Sequence, residues 1–253
     1  MSTGRFTDRV VFVTGAGSGL ARATAKLFTA EGARVFGVDV NPDGLAETIR
    51  AIRLAGGTVE GGTCDVSDMA AVRESVERAV SVFGGLNILV NAAGVGRNAR
   101  LEEIDEDEWQ RVLAVNLTGA FNTVKAALPH LLAAGGNIVN VASTAGMRGM
   151  AYAAHYAASK AGLINFTRSI ALEFASRGVR ANCLAPAGIM TPIVKNFVPR
   201  PDFEPSLIAY VSPPVPHRMS RPEDMAKNIA FLASDDALMI TGATLVADWG
   251  TLA

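Results

Sequence analysis

Between Val10 and Ala25 the chain reads Val-Val-Phe-Val-Thr-Gly-Ala-Gly-Ser-Gly-Leu-Ala-Arg-Ala-Thr-Ala, and its character changes twice in that short space. Val10 to Val13 form a continuous apolar run, the pattern of a strand buried on both faces of a parallel sheet. Gly15, Gly17 and Gly19 follow at once, so the backbone can turn tightly and approach a ligand with no Cβ in the way. Leu20 to Glu31 then reads as a helix whose free N–H groups and positive dipole end point back at the glycine turn, a seat for a pyrophosphate. The spacing departs from the strict G-x-G-x-x-G of dinucleotide-binding turns. What strengthens that assignment is Asp39, which ends a second apolar run beginning at Arg34 and offers a carboxylate to the ribose hydroxyls of NAD.

Few function classes survive the composition. A length of 253 residues predicts one α/β domain spanning residues 1–253. A formal net charge of −1 with no dense Lys/Arg cluster gives no electrostatic footprint for nucleic acid. No apolar run is long enough to span a bilayer, and Met1 to Arg5 leads into Asp8 and Arg9 instead of an apolar signal segment, so a cytoplasmic protein is expected. Cys64 and Cys183 are isolated in predicted strands, as suits buried thiols in a reducing compartment. His130, His155 and His217 are too scattered to form a metal-ligand cluster.

Apolar runs alternate with amphipathic ones along most of the length, which predicts a doubly wound parallel sheet flanked by helices. Strands are expected at Val10–Thr14, Arg34–Asp39, Thr58–Cys64, Leu86–Asn91, Asn137–Ala142, Arg180–Leu184 and Thr244–Val246. Helices are expected at Leu45–Leu54 and Asp68–Phe83, each stopped by a Gly-Gly pair. A long helix should open at the acidic box Asp105-Glu106-Asp107-Glu108. There are no repeats and no low-complexity tract. Prolines crowd the stretch from about 190 to 217, excluding a regular sheet element and pointing to a substrate lid.

Several polar residues fall where strands end, the edge at which cofactors bind in such sheets. Asp65, in Cys64-Asp65-Val66-Ser67, can face a cofactor or help cap the next helix. Asn91-Ala92-Ala93-Gly94 closes the fourth strand with small residues and one amide able to tie neighbouring strands. Asn116 sits with Gly119 inside an otherwise good helix, a break of local rules with either a functional reason or a tolerated kink. Ser143 ends the fifth strand. Tyr156 and Lys160, four residues apart in a helical segment running to Phe174, share one helical face. Tyr152 has no lysine at that spacing.

A phosphate-binding turn, a ribose acid and a Ser/Tyr/Lys set along one sheet edge describe hydride transfer, with the cofactor carrying the difficult step. Tyr156 would move the proton if its pKa of about 10 were brought towards neutrality, which Lys160 and an oxidised nicotinamide could favour. Ser143 would hold the substrate oxygen, and Asn116 could hold a water joining Lys160 to solvent. Arg97, Arg148, Met150, Tyr152, Met190 and Ile193 are candidates for the substrate pocket.

From Val10 to about Gly250 the sequence resembles the short-chain dehydrogenases/reductases, in their compact form with a single Rossmann domain. The motifs are Thr14-Gly15-Ala16-Gly17-Ser18-Gly19-Leu20, Asn91-Ala92-Ala93-Gly94, Asn116, Ser143, Tyr156-Ala157-Ala158-Ser159-Lys160 and the Pro186 to Thr191 segment. The resemblance implies a catalytic tetrad of Asn116, Ser143, Tyr156 and Lys160, with Lys160 also on the nicotinamide ribose. It implies that Asp65 and Val66 lie against adenine and that Pro186, Ala187, Gly188, Ile189 and Thr191 contact the nicotinamide. It also implies a homotetramer. Ala21, Ala92 and Ala187 depart from the family's usual residues by small-for-small changes. Asp39 should repel the extra phosphate of NADP, which makes NAD the expected cofactor. An NADPH-dependent 3-oxoacyl-thioester reductase is the alternative enzyme, and a non-catalytic dinucleotide-binding redox sensor the alternative class.

Overall fold

The first strand, β1 (Val10–Thr14), is buried along its whole length and shares its side chains between two cores. Val11 and Val13 join one cluster, while Val10 and Phe12 join the other. That is the consequence of period-two side chains on a strand covered on both faces. The structure, a computed structural model, describes residues 4–210 and 219–253.

The remaining strands are β2 (Arg34–Asp39), β3 (Thr58–Thr63), β4 (Ile88–Asn91), β5 (Asn137–Val141), β6 (Arg180–Pro186) and β7 (Thr244–Ala247). They form a seven-stranded sheet in the order β3-β2-β1-β4-β5-β6-β7, and every pairing is parallel. The chain therefore reverses its direction of winding between β1 and β4, and a crevice opens there at the carboxyl ends of the strands. Helices α1 (Gly19–Ala30), α2 (Pro42–Leu54) and α8 (Pro222–Ala233) cover one face. Helices α3 (Met69–Phe83), α5 (Gly119–Ala134) and α6 (Ala154–Phe174) cover the other. Asp68 caps α3 by accepting from the N–H groups of Ala70 and Ala71, and Gly84 ends it in the left-handed conformation.

Strands β3, β4, β5 and β7 differ from the expected bounds by one or two residues at one end and α2 starts at Pro42, and three further differences have a physical reason. The long helix expected from Asp105 is interrupted: α4 (Glu106–Leu113) passes through a π-helical turn, Ala114–Thr118, into α5. The turn contains Asn116, and such π turns recur at functional sites. The sixth strand continues past Leu184 to Pro186, because a proline at the last position removes only a terminal donor while Ala187 N–H still reaches the Ala247 carbonyl at 3.3 Å. In the proline-rich stretch, Pro192 opens a 3-10 helix (Pro192–Phe197) and Pro205 opens the short helix α7 (Pro205–Tyr210). Proline suits a first helical turn, where its missing N–H would be unpaired anyway. No strand forms there among the described residues, only a bridge between Ile189 and Ser220. Residues 211–217 of the expected lid lie outside the described residues.

Candidate active site

The glycine turn is held against the end of β4 at very short range. Gly15 has φ +75°, and a Cβ there would stand 2.9 Å from Ala93 Cα. Thr14 Oγ1 accepts from the N–H groups of Ala92 and Ala93 at 3.0 and 3.1 Å, which fixes the two strand ends together. Asp39 is fixed as firmly. One carboxylate oxygen accepts from Gly17 N–H and the other from Asn41 N–H, both at 2.8 Å. Ser18 occupies the N-cap of α1 in an extended conformation but makes no side-chain cap. The first-turn N–H groups of α1 thus receive no hydroxyl and are left for an anion.

In front of this turn lies a cleft of about 490 Å³. Gly15, Ser18, Gly19 and Leu20 line one side, and Ala92, Ala93 and Gly94 line its floor. Ser143, Tyr156 and Lys160 line the opposite wall, and Pro186, Ala187, Gly188, Ile189 and Thr191 close it. Thr191 covers the glycine turn so tightly that a Cβ at Gly19 would meet its Cγ2 at 2.9 Å. Uncapped helix N–H groups and glycines with no side chain fit a dinucleotide laid across the strand ends, and the Asp39 carboxylate stands outside the cleft lining behind the glycine turn, on Gly17 N–H.

Tyr156 and Lys160 do share a face of α6. Lys160 is buried, its Nζ donates to the Val141 carbonyl at 2.9 Å, and it lies 5.8 Å from the centre of the Tyr156 ring. Burial pulls its pKa from 10.5 down to about 8, since an ammonium out of water loses hydration. Burial likewise pushes the Tyr156 phenol above its usual value, and a hydrogen bond from Ser143 opposes that rise. The sequence predicts that Lys160 and an oxidised nicotinamide together draw this phenol towards neutrality. Burial outweighs the Ser143 hydrogen bond, and the group rests as the protonated phenol.

Two predicted residues use their side chains inside the protein, and Asn91 does so as the sequence predicts, by tying neighbouring strands. Asn116 spends its whole amide inside the protein: Oδ1 accepts from Val95 N–H at 2.8 Å, while Nδ2 donates to the Val95 carbonyl at 2.8 Å and Ser159 Oγ at 2.9 Å. Both amide donors are taken, and Oδ1 keeps one acceptor position beyond the Val95 N–H. The side chain ties the loop after β4 to α6 one residue from Lys160. Asn91 donates to Asn140 Oδ1 at 2.9 Å and accepts from Thr123 at 2.6 Å, so its side chain joins β4 to β5 and α5.

Neither Asp65 nor Val66 lines the cleft. Asp65 accepts from the N–H and hydroxyl of Ser67 at 2.9 and 2.7 Å, which leaves capping of α3 to Asp68. Val66 packs on the π turn, where a Cβ at Gly119 would meet its Cγ2 at 2.7 Å. Of the candidate pocket residues, Arg148, Met150 and Ile193 line the cleft. Arg97 instead pairs with Glu108, Tyr152 stacks on Phe203 at 3.8 Å, and Met190 is exposed.

Sequence reasoning missed Phe197 and Asn98. Phe197 meets the Tyr156 ring edge-on at 5.0 Å. Asn98 anchors it, with its N–H on the Asn196 carbonyl and Nδ2 on the Phe197 carbonyl, both at 2.9 Å. Its two positions are separated by most of the β5 and α6 chain, and neither lies in a periodic run.

Comparison with known proteins agrees with this geometry. The sequence profile of the enoyl-(acyl carrier protein) reductase family matches residues 15–251. The chain is 42% identical to cis-4-hydroxycyclohexanecarboxylate dehydrogenase of Sinomonas cyclohexanicum, over 97% of each. It is 36% identical to a 3-oxoacyl-(acyl-carrier-protein) reductase of Thermotoga maritima, over 97% of this chain and 98% of that one. The crystal structure of carveol dehydrogenase from Mycobacterium avium in complex with NAD superposes with a TM-score of 0.91 at 32% identity, covering 99% of both chains.

Proposed function

The chain belongs to the short-chain dehydrogenase/reductase family, and from that premise we propose that it is an NAD-dependent oxidoreductase of secondary alcohols and ketones. The observation that carries this reading is the meeting of Ser143, Tyr156 and Lys160 in one cleft with the glycine turn. Two of the relatives compared above are dehydrogenases of alcohols on a six-membered ring. The largely apolar chamber beside Tyr156, with Met150, Ile193, Val194 and Phe197, suits such a ring.

NAD, when bound, supplies the hydride acceptor for an alcohol or, reduced, the donor for a ketone. Ser143 and Tyr156 would hold the substrate oxygen between them. As the phenolate, Tyr156 Oη would take the hydroxyl proton in oxidation, and as the phenol it would give a proton to the carbonyl oxygen in reduction. Its resting form as a protonated phenol leaves it ready to donate. Lys160, kept at the strand edge by the Val141 carbonyl, places a cation near the phenol whenever it is charged and so favours the phenolate over the same site without it. The aromatic edge of Phe197 keeps water from the ring. Asn116 acts as a positioning residue for Lys160 through Ser159 and Val95.

Preference for NAD over NADP rests on Asp39, whose carboxylate is pinned by two N–H groups and would face an added phosphate. Residues 1–253 form one dinucleotide-binding domain on this reading, with about 190–217 as the lid. Exposed apolar side chains on α5 and α6, Phe121 and Leu172, and Trp249 beyond β7 support assembly as a homotetramer. Both cysteines are free and buried, as suits a cytoplasmic protein. The test follows reduced nicotinamide absorbance with cyclohexanol and cyclohexanone. Tyr156→Phe should abolish turnover while leaving NAD binding intact. A strong preference for NADPH with an acetoacetyl thioester would replace this reading with the thioester reductase, and NAD binding without any turnover would leave a redox sensor.

A further inference from the structure

Among the described residues, Lys160 and Arg148 are the only charged groups lining the cleft, and no carboxylate faces it. Lys160 is occupied with the Val141 carbonyl and lies beside Tyr156. Arg148 has no role in the chemistry derived above. It follows Ser143 on a loop that doubles back, with the N–H groups of Met147 and Arg148 on the Thr144 carbonyl at 3.0 and 3.3 Å. The guanidinium is therefore carried by the same short turn that presents the Ser143 hydroxyl.

Among the described residues no carboxylate pairs with that guanidinium. Arg148 lies against the Tyr210 ring, 4.5 Å from its centre, and donates through Nη2 to the Tyr210 carbonyl at 2.6 Å. That uses one of five N–H donors and supplies no counter-charge. Residues 211–218 follow Tyr210 as Val-Ser-Pro-Pro-Val-Pro-His-Arg, which contains no acid to offer one. The rest of the chamber is apolar, with Met150, Ile193, Val194, Phe197 and Met219. An arginine fork at the edge of an apolar, partly desolvated chamber is the standard means of reading a carboxylate, since charge-assisted bidentate bonds strengthen where water is excluded.

We infer that Arg148 binds a carboxylate on the substrate, so that the preferred substrates are hydroxy acids, and their keto acids, built on an apolar body. The inference rests on the dehydrogenase reading for the fate of the hydroxyl, but the contact itself is independent of turnover. The substrate would be fixed at two points, its carbinol oxygen at Ser143 and Tyr156 and its carboxylate at Arg148.

The experiment compares wild type, Arg148→Met and Arg148→Lys with 4-hydroxycyclohexanecarboxylate and with its methyl ester. Calorimetry of cyclohexanecarboxylate binding to the NAD-saturated protein accompanies the kinetics. Wild type should use the acid at least tenfold better than the ester in kcat/KM. Arg148→Met should lower the acid tenfold or more, leave the ester within about twofold, and weaken cyclohexanecarboxylate binding tenfold. Arg148→Lys should recover part of the loss. Equal losses for acid and ester would show that Arg148 only tethers Tyr210, and would overturn the inference. A tenfold loss of NAD affinity with an unchanged acid-to-ester ratio would assign Arg148 to the cofactor's phosphates and overturn it too. Carboxylate binding that depends on Arg148, in a protein that turns over none of these alcohols, would uphold the contact and remove the dehydrogenase reading alone.

Discussion

Lys160 holds its charge in a place that costs the folded protein stability, and Lys160→Met should expose that cost. Its pKa falls from 10.5 to about 8 on burial, which corresponds to about 3 kcal/mol at neutral pH. Below pH 8 the amine is charged both folded and unfolded, so the folded state bears the full penalty. Between pH 8 and 10.5 the folded state releases its proton while the unfolded chain retains it, so this group makes the protein more stable as pH rises. Above 10.5 the amine is neutral in both states and the penalty is gone. Methionine fills a similar volume with no charge, but it leaves the Val141 carbonyl without its 2.9 Å donor, a loss of roughly 1–2 kcal/mol. The net gain for Lys160→Met at pH 7 is therefore about 1–2 kcal/mol, or roughly 2–8 °C in Tm for a chain of this length. Calorimetric melting of the cofactor-free protein from pH 7 to 10.5 checks it. The Tm difference should be largest at pH 7, shrink above pH 8 and change sign once only the lost hydrogen bond remains. A variant less stable than wild type at pH 7, or a difference that does not vary with pH, would refute the reasoning.

Other perturbations follow from the same geometry. Asp39→Ser removes the carboxylate that two N–H groups hold at the end of β2. The ratio of kcat/KM for NADP over NAD should then rise tenfold or more in assays with both cofactors. Tyr156 is held above the ordinary tyrosine range by burial, so its share of an ultraviolet titration of the cofactor-free protein, wild type minus Tyr156→Phe, should rise at higher pH than that of a free tyrosine. A share that rises with or before that of a free tyrosine would contradict it. Gly15→Ala forces a side chain into φ +75° and 2.9 Å from Ala93 Cα. It should destabilise the protein by about 1–3 kcal/mol in urea melts and raise the KM for NAD.

The parts legible in the sequence were those written in local patterns. Strand β1 and the glycine turn are recognisable because continuous burial and positive φ leave few residue choices. The Tyr156–Lys160 pair is recognisable because four residues on a helix define one face. The π turn at Asn116 was visible only as a broken rule, and what its amide does depends on Val95 and Ser159, residues that no pattern singles out. Prolines in the lid read as breakers in the sequence, yet Pro192 and Pro205 open helices because a first turn tolerates a missing N–H. Phe197 reaches Tyr156 through Asn98 on a distant loop. Such contacts are products of chain closure and leave no periodic trace.

Asparagine is a poor strand former, yet Asn91 and Asn140 both lie in the most buried strands, and their partners explain why. Asn91 donates to Asn140 Oδ1 at 2.9 Å, and Asn140 Nδ2 donates to Thr167 Oγ1 at 2.8 Å. Thr167 in turn receives the Cys183 thiol at 3.1 Å, which burial keeps protonated by raising its pKa to about 11. The chain of bonds runs from β4 through β5 to α6 and on to β6. Thr167 lies seven residues after Lys160, on the same side of α6. A slide of the helix by one turn would strip Asn140 Nδ2 and the Cys183 thiol of their Thr167 partner, and leaving the buried amide donor unpaired costs about 1–3 kcal/mol. Apolar packing alone would resist that slide far less, because a neighbouring aliphatic contact can replace the one lost. The polar chain thus fixes the register of α6 against the sheet, and with it the height at which Tyr156 and Lys160 stand above the glycine turn.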